Sequence, residues 1–127
     1  MKTDKINTVI DQPFEQVLTA ARKAIVNNGF LLLHEINPQA ILASHQIVIG
    51  PIRQLLFFHP AYMQQLLQAD PNAVIEVPLK LVLREVDDHS TAVTYSDPVL
   101  QLQDYSGLET LGSELSQRVT ALLKELL

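Results

Sequence analysis

The chain has no cysteine. That excludes disulfides, thiolate catalysis and any Cys-bound zinc or iron–sulfur centre, and it suits a reducing cytoplasm, where we expect the protein to reside. The opening Met1-Lys2-Thr3-Asp4-Lys5 lacks the apolar stretch of a signal peptide. No window approaches the ~20 apolar residues needed to span a bilayer. The most apolar region, Ile36 to Phe58, is broken by Pro38, His45, Gly50, Pro51 and Arg53. Positive charge is never clustered, so no stretch could displace counterions from a phosphate backbone, and neither nucleic acid nor an anionic membrane is expected as a partner. Internal repeats, low-complexity tracts and linkers are absent as well.

What is present is the composition of an ordinary globular protein: 127 residues, 47% hydrophobic and 18% charged. That length suits one domain, and a chain of this size buries roughly two-thirds of its unfolded surface. The net charge of −5 is uneven: residues 1–60 hold five basic and four acidic side chains, residues 61–127 four basic and ten acidic.

Patterning predicts a short strand over Lys5–Ile10, then a helix opened by Asp11-Gln12-Pro13. Phe14, Val17, Leu18, Ala21 and Ile25 recur in it at helical spacing, and Gly29 supplies its left-handed stop. Phe30–Ile36 reads as a buried strand. Pro38–Ser44 is ambiguous between a helical turn and loop. Gln46–Ile49 and Arg53–Phe58 read as two strands split at Gly50-Pro51.

A short helix follows from Pro60 to Ala69, with Tyr62, Met63, Leu66 and Leu67 inward, stopped by Asp70-Pro71. Ala73–Val77 and Leu79–Val86 read as further extended segments. Asp87-Asp88-His89 turns the latter back into Thr91–Ser96. The last helix opens on Ser106-Gly107-Leu108-Glu109, a capping-box pattern. Leu108, Leu111, Leu115, Val119, Leu122 and Leu126 make its apolar stripe. The expected class is α+β: one curved antiparallel or mixed sheet with helices packed on one face and a long C-terminal helix.

From Phe14 to Asp97 the chain resembles the bacterial and archaeal family known as domain of unknown function 302. The shared phrases are Gly29-Phe30 and Glu35-Ile36, Phe58-His59-Pro60, Gln68-Ala69-Asp70-Pro71, Val77-Pro78-Leu79-Lys80 and Asp97-Pro98. The resemblance implies a curved antiparallel sheet backed by helices, commonly in a homodimer, and no known reaction. In the family's pattern Cys-Asn pairs stand at two places; here they read Phe58-His59 and Leu79-Lys80. Both cysteines have become apolar and both asparagines basic.

Candidate chemistry is sparse. His34, His45, His59 and His89 show no H-x-H or H-x-x-x-H spacing, so no metal and no cofactor is expected. His34 and Glu35 are strand neighbours, point to opposite faces, and cannot act as a pair. Gly112-Ser113 lies inside a helix rather than in a nucleophile elbow, and no Gly-Lys-Ser/Thr follows Gly107 and Gly112. His59, just before Pro60 at a helix start, is the residue that stands out. Unsatisfied N–H groups there favour anions.

If Phe58 packs on Leu79, then His59 and Lys80 come together near the first turn of that helix. With Tyr62 they would form a site for a carboxylate or phosphate, stronger when the imidazole is charged. The plain reading is that His59 only caps the helix. Two functions follow: a non-catalytic binding or assembly module that takes a small anionic ligand, or a small enzyme acting on an anionic metabolite with His59 as proton carrier.

Overall fold

Alternating and helical patterns do sort the chain into strands and helices in the computed structural model, which describes residues 4–127. The strands are β1 (Lys5–Ile10), β2 (Leu31–Ile36), β3 (Ile52–Phe58), β4 (Leu79–Asp87) and β5 (Ser90–Ser96). The helices are α1 (Phe14–Asn27), α2 (Pro38–Ala43), α3 (Pro60–Ala69), α4 (Pro98–Leu102) and α5 (Glu109–Lys124), with a 3-10 helix at Pro71–Glu76. The sheet runs in the order β1-β5-β4-β3-β2, every neighbouring pair antiparallel. Of the alternatives left by the sequence, antiparallel holds and mixed does not.

Residues opposite each other across strands share a face. The register therefore separates two rows of side chains. Leu55, Phe57, Leu79, Leu81, Leu83 and Val93 are buried on one face. Against them pack Phe14, Val17, Leu18, Ala21 and Ile25 of α1, and Leu111, Leu115, Val119 and Leu122 of α5. The helical periodicities predicted these two faces. Burying each Leu or Phe fully contributes about 1.5–3 kcal/mol before conformational entropy is charged against it. Lys80, Val82 and Arg84 leave β4 on the other face, which is open.

Local chemistry fixes the helix ends. Asn37, Asp70 and Asp97 each accept a backbone N–H two or three residues ahead, at 3.0 Å, and each precedes a proline at the first helical position. Gly29 ends α1 at φ +84°, in the left-handed region where a Cβ is costly.

Several expectations need correcting. Phe30–Ile36 reads as buried because it is rich in leucine, yet β2 is an edge strand with Leu31 and Leu33 exposed. Gln46–Ile49 is not a strand: the chain turns at Gln46, φ 61°, and Ile47 N–H donates back to Leu42 O at 2.9 Å. Ala73–Val77 is largely wound into the 3-10 helix begun by Asp70-Pro71. Leu67 is exposed rather than inward, while Tyr62 and Leu66 are buried. The Ser106 capping box is not used: Gly107 turns the chain at φ +85°, and Leu108 carries the cap without a side-chain bond.

Candidate functional site

The register decides which candidates meet. Phe57, not Phe58, stands opposite Leu79, and Lys80 stands opposite Leu56. Lys80 thus lies three residues back along β3 from His59, about 10 Å of strand. The two basic residues belong to different places in the fold.

His59 and Tyr62 form the first place. His59 is the N-cap of α3, and its Nδ1 accepts the Ala61 N–H at 3.1 Å. An imidazole nitrogen that accepts carries no proton, so the N–H of the neutral ring belongs on Nε2. The ring meets Tyr62 edge-on, centroids 6.1 Å apart. Tyr62 is buried among Phe30 and Phe58, each 6.0 Å away. The Arg118 guanidinium lies 5.8 Å from its ring centroid. Burial first, then the negative charge of Glu114, pushes the Tyr62 phenol above its ordinary value.

Lys80 belongs to the second place, a cleft of about 430 Å³ at the end of the sheet where β4 begins and β5 finishes. That volume lies within the range of small-molecule sites. Thr94 and Ser96 of β5, Lys5 of β1 and Gln101 of α4 contribute polar walls, while Phe57, Val82 and Pro78 contribute apolar ones. Lys5 pairs with Asp4 at 2.9 Å. Glu76, also on the wall, accepts the Tyr105 hydroxyl at 2.8 Å, and that bond holds the phenol above its ordinary value. The Lys80 ammonium forms no hydrogen bond or ion pair among the described residues.

The Thr94 hydroxyl already donates to Asn7 Oδ1 at 2.9 Å. An ammonium beside the Ser96 hydroxyl and a carboxamide can hold carboxylate or phosphate oxygens through charge-assisted hydrogen bonds. Among the described residues no three His, Asp or Glu side chains gather as a metal site would require. No helix among them is long and apolar enough to cross a membrane.

Thr94, Ser96, Glu76 and Gln101 escape a reading of the sequence. The alternation Leu79-Lys80-Leu81-Val82 places Lys80 outward, but nothing local says that β5 runs beside β4 at that point.

The fold and site define a class: a five-stranded antiparallel sheet, one face covered by helices, with an open cleft at the end of two central strands. The chain belongs to the domain of unknown function DUF302 family, whose model matches residues 6–126. It is similar to the crystal structure of an uncharacterized conserved DUF302 protein from Bacillus stearothermophilus. The TM-score is 0.86 at 14% identity, over 99% of this chain and 100% of that one. At that identity the likeness is one of fold. No curated protein matches the sequence.

Proposed function

We propose that the protein is a cytoplasmic, non-catalytic binding module, a homodimer whose cleft at Lys80 takes a small carboxylate or phosphate. One observation carries the ligand: in an acidic chain, the Lys80 ammonium lines a cleft of about 430 Å³ with no acidic partner among the described residues. The Ser96 hydroxyl and the Gln101 amide share that cleft, while the Thr94 hydroxyl on its wall donates to Asn7 Oδ1 at 2.9 Å. Support for binding rather than proton transfer comes from His59, whose Nδ1 is committed to the α3 cap while Lys80 stands elsewhere. His59 and Tyr62 then serve the corner that positions β3 and α3, and Lys80 holds the ligand. The homodimer is supported by apolar side chains exposed along β2 and the segment after it.

Backbone NMR during titration with phosphate and with acetate tests the ligand. Saturable shifts are expected at Lys80, Thr94, Ser96 and Gln101, and their loss in Lys80→Ala. Shifts gathered at His59 and Ala61 instead would move the site to the α3 cap. A flat response at millimolar anion would end the binding reading.

A further inference from the structure

The connection from β2 to β3 is unlike the rest of the surface. From Ile36 to Ile52 there is no Asp, Glu, Lys or Arg. None of residues 38–50 is buried, although the segment carries Ile41, Leu42, Ile47, Val48 and Ile49. Ile41 is 53% exposed, Ile47 49% and Val48 94%. The chain enters this segment from β2, whose Leu31 and Leu33 are themselves 47% and 52% exposed. Single exposed leucines are ordinary; contiguous ones on an uncharged arm mark an interaction surface.

Two observations argue for the occupant. The first is charge. A partner chosen by opposite charge would find nothing to pair with on this arm. Two copies of a chain with net charge −5, by contrast, repel each other least through a surface that carries no carboxylate, and residues 36–52 are such a surface. The second is symmetry. Among the described residues β2 pairs only with β3 and its other edge is open, and antiparallel apposition of two identical edges is isologous by construction. Glu35, the one carboxylate on β2, is already bound by Arg22 and lies 3.8 Å from Arg53.

We infer that a second copy of this chain covers the arm, with Ile41, Ile47 and Val48 packed against their counterparts and the two β2 edges alongside. This rests on the homodimer reading above and names the surface that makes it.

Sedimentation velocity over a range of concentrations tests it, with Val48→Asp, Ile41→Asp and a control, Val86→Asp, whose exposed side chain lies at the β4 turn. The altered side chains are exposed in the single chain, so far-UV circular dichroism should match the parent in all three. The parent should be dimeric at micromolar concentration. The two arm variants should raise its dissociation constant about tenfold or more, since each buries two like charges across the axis, and the control should not. A dimeric parent unaffected by both arm substitutions would overturn this interface and leave the homodimer standing. A parent that stays monomeric would overturn both.

Discussion

Arg118 lies over the ring of Tyr62, its guanidinium carbon 5.8 Å from the centroid, and from there Nη1 donates to Asn28 O at 3.2 Å. One side chain thus links three helices: it leaves α5, covers the aromatic of α3, and satisfies a carbonyl at the end of α1. Its Nε is buried without a hydrogen-bond partner among the described residues. Stacking on the electron-rich face of Tyr62 offsets part of that cost. Glu114, 3.7 Å from Nη2, balances the charge.

Gly29 is fixed by this arrangement. Its φ of +84° is a conformation L-residues avoid, and a Cβ there would stand 3.0 Å from Arg118 Nη1. Gly29→Ala should cost about 1–2 kcal/mol for the backbone alone, and thermal melts would show it. An unchanged midpoint would mean the α1 stop tolerates a side chain.

Leu115 sits at the centre of the α5 stripe and is fully buried. Leu115→Ala should destabilise the protein by about 2–5 kcal/mol, the range for a large-to-small change in a packed core. Denaturant titration gives the value directly. A midpoint equal to the parent's would place the core elsewhere.

Acid should loosen the junction of α1 and β2. Two hydrogen bonds from Arg22, 2.8 and 2.7 Å, hold the Glu35 carboxyl below its ordinary range. A carboxylate with a lowered folded pKa adds stability above its unfolded value and loses it as pH falls through the folded one. Glu35→Gln should therefore be less stable than the parent at neutral pH. That gap should close as both are acidified below the usual carboxylate range. Stability curves that run parallel at every pH would contradict the pairing.

Tyr105 reports on the wall of the cleft. Its hydroxyl donates to Glu76 Oε2, and losing the proton would set two negative charges side by side. Glu76→Ala should let the phenol titrate closer to its ordinary value, measured by tyrosinate absorbance against Tyr105→Phe. An unaltered titration would show that the bond does not persist in solution.

How much of this is legible in the sequence differs by element. Both long helices are, because Phe14 to Ile25 and Leu108 to Leu126 repeat at 3.6 residues and their stripes are the buried faces. The hairpin at Asp87-Asp88-His89 is too, from turn chemistry alone. The helix at Pro98 carries a visible signal in the sequence: Asp97-Pro98 is the same N-cap and proline pair that Asp70-Pro71 forms. The place of β2 could not be read, since a leucine run looks alike in a central strand and at an edge.

The site was legible only in its parts. His59 as a cap and Lys80 as an outward cation follow from neighbouring residues. Their separation follows from a register one residue away from the expected one, and a one-residue shift reverses the face of every side chain. The cleft itself needs β1, β4, β5 and α4 together, residues from Lys5 to Gln101, and no local pattern encodes that meeting.

The pairing of β1 with β5 sets a rule for synthesis. Ile6 meets Tyr95 and Val9 meets Ala92, so β1 is matched to a strand some eighty residues further along the chain. A nascent chain that has emerged only to Asp87 can join β2, β3 and β4, but the strand that β1 pairs with is not yet made. Its Ile6 and Val9 stay unpaired until Ser90–Ser96 clear the ribosome, and then closure spans most of the polypeptide, which slows it. Until β5 is made, β1 therefore lacks its partner. Arrest peptides that stall the ribosome before β5 should leave β1 open to protease, and stalling beyond α5 should protect it.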